Sequence, residues 1–156
     1  MAKNQIGLDE IKAKQLADRL NILLANYQVF YTNLRGFHWN ISGEKFFELH
    51  LKFEELYNDA QLKIDEIAER VLTLGYTPAH TFSSYLKKSM IKETARVSGG
   101  IVAVKEIAES LQILLNIERE ILNLSSKAND EGSNAMMSDY IRQQEKLMWM
   151  YTAFLK

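Results

Sequence analysis

Apolar residues recur every three or four positions along four long stretches of this chain, with polar side chains between them. Leu16, Leu20, Leu23, Tyr27, Phe30, Leu34 and Phe37 form a first stripe. Phe46, Leu49, Phe53, Leu56, Ala60, Ile64, Ile67, Val71 and Leu74 form a second. Val104, Ile107, Leu111, Leu114, Ile117, Ile121 and Leu124 make a third, and Met137, Tyr140, Ile141, Met148, Tyr151 and Leu155 a fourth. Such spacing returns to one face of a 3.6-residue helix, so it predicts amphipathic helices over 8–39, 44–74, 101–127 and 134–155. The breakers fall between these stretches. Ser42-Gly43 makes a tight link, Gly75-Tyr76-Thr77-Pro78 stops the second helix, and Asn129-Asp130-Glu131-Gly132 precedes the fourth. Pro78 is the only proline and glycine appears only seven times, so little interrupts the helices.

The connection over 75–100 is too long to join neighbouring antiparallel helices directly, and it contains a short helical stretch of its own, Phe82 to Met90. Short link, long crossover, short link is the connectivity of ferritin-like bundles. The expected fold is therefore all-α: a ferritin-like four-helix bundle whose crossover between the second and third helices carries a short helix. At 156 residues the length fits one domain, 1–156, large enough to bury a core.

Composition narrows the function. Apolar residues are 47% and charged residues 25%, as in soluble proteins, and the formal net charge is −1. No strongly basic block appears, which argues against a dedicated nucleic-acid binder. Cysteine is absent, which excludes disulfides and thiolate metal sites. The start, Met1-Ala2-Lys3-Asn4-Gln5, is too polar for a secretory signal, and no apolar run approaches the roughly 18 residues of a membrane span. The expected location is cytoplasmic, with no membrane partner.

Candidate chemistry concentrates near the front. His38 and His50 are two of three histidines, and carboxylates follow at Glu54, Asp65 and Glu69. At 100° per residue, His50, Glu54, Asp65 and Glu69 fall within a helical sector about 100° wide. Yet Glu54 and Asp65 stand eleven residues apart, roughly 16 Å along the axis. One ion with ligand bonds of about 2 Å cannot reach both ends of that row in one chain. Positions 50 and 69, and likewise 54 and 65, are symmetric about a point between residues 59 and 60. An antiparallel copy of the helix related by a two-fold axis there would place His50 opposite Glu69, and Glu54 opposite Asp65, of the second chain. If the chain reverses near residue 44, His38 stands level with His50 and joins the set. Two imidazoles with several carboxylates suit iron better than a closed structural zinc site. Against this stands the simpler reading that carboxylates at helical spacing form only a solvated face.

The segments His38-Trp39, Phe46-Phe47-x-Leu49-His50 and Asp65-Glu66-Ile67-Ala68-Glu69-Arg70 resemble the signature of the Dps proteins, the mini-ferritins or DNA-protecting proteins of starved cells. Gly75-Tyr76-Thr77-Pro78 with Tyr85-Leu86-Lys87, and Trp149-Met150 with Ala153-Phe154-Leu155, extend the resemblance over most of the chain. It implies a hollow dodecameric shell that oxidises Fe(II), preferably with hydrogen peroxide, and stores ferric iron. It also implies a ferroxidase centre shared across a two-fold axis: His38, His50 and Glu54 from one subunit, Asp65 and Glu69 from the other. Glu54 stands where the family more often has aspartate. Ordinary ferritins use Glu-x-x-His pairs inside one bundle, and no histidine here has that glutamate.

Trp39 reads as a core residue at the bundle end; the resemblance implies a tryptophan close to the iron that takes up oxidising equivalents. Asp130, Glu131 and Asp139 surround the start of the last helix, where the helix dipole alone favours acids. In similar proteins carboxylates here line pores admitting Fe(II), and Asp139 matches best, whereas Ser133 stands where relatives often have aspartate. His80 reads as a loop histidine and the methionines as packing. Family members that bind DNA tightly use Lys/Arg-rich tails. Here only Lys3 precedes the first helix and Lys156 follows the last, too few charges for durable binding, so weak or no DNA binding is expected. Two rivals remain: a DNA-coating nucleoid protein with secondary iron chemistry, and a structural bundle whose acidic edge mediates dimerisation.

Overall fold

The four apolar stripes leave water together, and they do so as a bundle of long helices. The computed structural model describes residues 2–156. Its helices are α1 (Glu10–Asn40), α2 (Phe46–Thr73), the short α3 (Phe82–Lys88), α4 (Gly100–Lys127) and α5 (Glu131–Phe154). This is the all-α, ferritin-like arrangement with the short helix in the long crossover. Helix α1 lies centrally, packing on α2, α3 and α4, while α4 also packs on α5. Among the described residues the only strand-like pairing is an isolated antiparallel bridge between Lys3 and Asp9. Among the described residues no helix is long and apolar enough to cross a membrane.

Nearly every stripe position is buried, from Leu16 to Phe37 on α1 and from Val104 to Ile121 on α4. The ends differ slightly from the periodic reading because caps, rather than apolar spacing, decide them. Asp9 accepts the Lys12 amide and starts α1 two residues late. Gly43 takes φ +103°, a conformation that side-chain-bearing residues rarely adopt, and this turn delays α2 to Phe46. Asp130 accepts the Ser133 amide and starts α5 three residues early. Gly132 is thereby helical, and the Arg70 guanidinium fills the space its Cβ would need, at 2.7–2.9 Å.

Two asparagines two turns apart on one face of α1 hold the crossover. The Asn26 side-chain oxygen accepts from the Ser89 hydroxyl and from the amides of Met90 and Ile91. Asn33 donates to the Lys92 carbonyl and accepts from the Thr94 amide. These bonds take the backbone out of helical geometry at Ser89, so α3 ends at Lys88 instead of Met90. Near the other corner, Asn4 donates to the Leu74 carbonyl and Gln5 to that of Thr73. The segment carrying Lys3 is therefore pinned to the end of α2.

All four long helices send a polar group into the middle of the bundle. Tyr27 of α1 donates to Glu118 of α4 at 2.7 Å, and Gln144 of α5 donates to the Tyr27 hydroxyl. Lys63 of α2, also buried, bonds Asp59 at 2.6 Å and Gln143 at 2.9 Å with its ammonium over the Tyr140 ring. Glu118 is 0% exposed. Burial pushes its carboxyl up to about 7, against the opposing pull of hydrogen bonds from Tyr27 and Gln144 and of the Lys63 and Arg119 charges. The sequence carries a trace of this, a glutamate set within the third apolar stripe.

In the unfolded chain a glutamate titrates near 4.3. Between there and about pH 7 the folded protein binds the extra proton. Stability should therefore fall as pH rises through that window, by up to about 4 kcal/mol, and level off above it. Glu118→Gln should flatten this slope and raise the melting temperature at about pH 8. Thermal unfolding of both proteins across the window checks it, and parallel curves would contradict the assignment.

Candidate metal centre

The antiparallel packing of α1 on α2 brings residues 38 and 50 level, and their side chains lock together. The imidazoles of His38 and His50 stack at 3.8 Å between centroids, 12° from parallel. His38 Nδ1 lies 2.6 Å from the His50 carbonyl oxygen, and His50 Nδ1 lies 2.8 Å from the His38 carbonyl oxygen. A carbonyl oxygen can only accept, so both Nδ1 atoms carry hydrogen. In the neutral rings both Nε2 atoms then keep their lone pairs for a metal, the arrangement by which outer contacts orient imidazole ligands.

Neighbouring rings complete the setting. Phe46, one turn before His50, stacks on it at 4.9 Å, and Tyr57 meets His38 edge-on at 5.2 Å. His38 is buried, whereas His50 is half-buried. The Glu54 carboxylate lies one turn beyond His50, its Oε1 3.8 Å from His38 Nε2. That gap is too long for a hydrogen bond. It is a span that one ion with ligand bonds of about 2 Å could bridge.

His38, His50 and Glu54 are thus brought together within one chain. Asp65 and Glu69 are not. They lie exposed farther along α2, beyond the reach of that group. Among the described residues of one chain, no three His, Cys, Asp or Glu side chains are placed to hold a metal ion.

Trp39 departs from the core reading. The residue is 62% exposed, because α1 ends at Asn40 and residue 39 points away from the bundle. The Arg35 guanidinium covers one face at 4.6 Å. Asp130 and Asp139 also separate. The Asp130 side chain is 2% exposed and pairs with Arg70 at 2.6 Å, so it ties α5 to α2. The Asp139 side chain is 58% exposed and lies 3.2 Å from Arg142. His80 is exposed, its Nδ1 3.1 Å from the Pro78 carbonyl oxygen, apart from any carboxylate cluster.

Tyr57 and Arg35 escaped the sequence reading. Tyr57 falls beside the second stripe, three residues past Glu54, and Arg35 precedes His38 by three. Both spacings place neighbours on one helix face, and that was the available signal.

Comparison with known proteins places the chain among relatives. Residues 17–156 match the ferritin-like domain family. A DNA protection during starvation protein from Porphyromonas gingivalis is 43% identical over 148 residues, covering 95% of this chain and 93% of its own. The crystal structure of a Dps protein from Vibrio cholerae, described as a ferritin-like diiron-carboxylate protein, superposes with a TM-score of 0.98 at 56% identity, covering 100% and 98% of the two chains. A Dps structure from Bacillus brevis gives a TM-score of 0.90 at 35% identity, covering 93% and 97%.

The contrast between the two aspartates is measurable. Asp130→Asn leaves the half-buried Arg70 guanidinium without its carboxylate and should cost about 3 kcal/mol or more of stability. Asp139→Asn removes an exposed pair and should change stability by less than about 1 kcal/mol. Denaturant unfolding of both variants checks this; equal losses would refute the assignment.

Proposed function

The chain belongs to the Dps family of ferritin-like proteins, and from that premise we propose that it is a ferroxidase and iron store that oxidises Fe(II), preferably with hydrogen peroxide. The observation that carries the reading is the locked imidazole pair, both Nε2 atoms available and the Glu54 carboxylate 3.8 Å from one of them. One chain supplies half a centre. In this reading Asp65 and Glu69 of a second chain supply the other half across a two-fold axis, and the subunits close into a dodecameric shell in the cytoplasm. Iron is substrate and cargo here.

Each residue has a task. The Nδ1–carbonyl bonds hold the rings so that Nε2 faces the ion before it arrives, which lowers the ordering cost of binding. Carboxylates from both chains offset the rising positive charge as Fe(II) becomes Fe(III). Two ferrous ions give one electron each, the peroxide O–O bond breaks, and two protons complete two waters. Consuming peroxide in two-electron fashion limits hydroxyl-radical formation, so protection from oxidative damage accompanies storage. Trp39, next to His38, stands ready to take up a stray oxidising equivalent. Asp139 draws Fe(II) toward the entry path.

DNA binding is weak or absent in this reading. The formal net charge is −1, and the segment carrying Lys3 is pinned to the end of α2. A salt titration on duplex DNA separates this from a DNA-coating role.

Two experiments test the centre and the entry. The double variant His38→Ala/His50→Ala and the double variant Asp65→Asn/Glu69→Gln should each be inactive in peroxide-driven Fe(II) oxidation. Co-assembled, they form one intact centre per mixed dimer and should recover up to about half of wild-type activity. Subunits that demonstrably mix without recovering activity would sink the shared centre. The native particle should weigh near twelve times the 18.0 kDa chain, and a monodisperse monomer in light scattering would contradict the assembly.

For entry, Asp139→Asn should slow iron uptake when Fe(II) is limiting, most at low ionic strength, while oxidation at the centre stays intact. An unchanged uptake rate removes Asp139 from the path.

A further inference from the structure

Four arginines of this chain pair with carboxylates: Arg19 with Glu120, Arg70 with Asp130, Arg119 with Glu145 and Arg142 with Asp139. Arg35 does something else. Among the described residues it has no carboxylate within 4.0 Å. Its guanidinium is instead caged by rings, 4.6 Å from Trp39, 5.5 Å from Tyr31 and 5.9 Å from Tyr57. Its Nη1 also donates to the Tyr31 hydroxyl at 3.2 Å. A planar cation stacks well on ring faces, and three of them leave a long side chain little freedom.

The cage stands at the edge of the imidazole pair. Arg35 precedes His38 by three residues, hence on the same face of α1. Tyr57 touches both groups, its ring 5.9 Å from the guanidinium and 5.2 Å from the His38 ring. Those two legs put the charge within about 11 Å of the imidazole, inside roughly one Debye length at moderate salt. A fixed positive charge is therefore built in beside a cation site, without a carboxylate of its own chain to cancel it.

We propose that Arg35 is a specificity-determining residue of the metal centre: its caged charge weakens cation binding there, and weakens it more for a trivalent than for a divalent ion. This rests on the reading of His38 and His50 as metal ligands. Coulomb repulsion scales with the charge of the ion, so Fe(III) is repelled half as much again as Fe(II). The centre then favours arrival of the ferrous substrate over retention of the ferric product. The ring cage serves this by fixing the distance, where a free arginine would swing into solvent.

The test uses the assembled protein at low ionic strength, with Co(II) as the divalent probe and Tb(III) as the trivalent one. Binding at the centre is defined as the part lost in His38→Ala/His50→Ala. Arg35→Met should tighten Co(II) about threefold and Tb(III) about fivefold, for a charge about 10 Å away at a water-like dielectric. Arg35→Lys, which keeps the charge, should stay near the parent. Added salt should shrink the difference. Equal tightening of both ions, or none, overturns the charge-selective role. Weaker binding together with loss of assembly overturns it too and makes Arg35 an interface residue. If His38→Ala/His50→Ala binds both probes like the parent, the metal centre itself is wrong and the inference falls with it. If that variant loses the probes while Arg35→Met matches the parent, only the inference fails.

Discussion

Leucines and aromatics at three- and four-residue spacing on α1 and α2 leave water together only when the helices run antiparallel in one register. That register sets residue 38 opposite residue 50, and the local chemistry follows from it. The rings stack at 3.8 Å, and each Nδ1 meets the other residue's carbonyl. A slip of one residue would turn these side chains by 100° and break both bonds. Apolar burial thus aligns the donors, and the hydrogen bonds finish the alignment to within the tolerance a metal ligand requires.

The polar interior gives the bundle its identity. Apolar stripes tolerate several neighbouring packings. Glu118, Tyr27, Gln144 and Lys63 do not, because a buried polar group without a partner is costly. Each long helix supplies one of them, so the bonds among Tyr27, Glu118 and Gln144 and the Lys63–Gln143 bond form only when all four helices take their places, although Glu118 Oε1 and Gln144 Oε1 stay without a partner. Asn26 and Asn33 play the same part for the crossover, and the Arg70–Asp130 pair does so for α2 and α5. Lys63 also occupies the bundle centre with a resident cation, which fits a protein whose candidate iron ligands lie away from that centre, on α2 and at the end of α1.

That outer edge is unfinished in one chain. Imidazoles and one carboxylate gather at one end of α2, while Asp65 and Glu69 stand exposed beyond their reach. A half-centre without a partner holds iron weakly, so oxidation is tied to assembly in the proposed reading. The aromatic group around Arg35 belongs to the same design. Tyr57 touches the ligand ring and the caged cation at once, so packing, charge and coordination meet at one side chain.

By itself the sequence determined the helices, their number and order, the long crossover with its short helix, and the outer row of candidate ligands. These are properties of local spacing: a 3.6-residue period and a scarcity of breakers can be read from any stretch without knowing its neighbours. The family resemblance needed no more, since it rests on short patterns along the chain, from His38-Trp39 to Trp149-Met150. The caps at Asp9 and Asp130, the exposure of Trp39 and the reduction of Asp130 to a structural partner of Arg70 were decided only in three dimensions. So were the burial of Glu118, the stacking of His38 on His50 and the ring cage of Arg35. Each depends on where a residue distant in the chain comes to rest, because partners and burial belong to pairs of elements, whereas periodicity belongs to one.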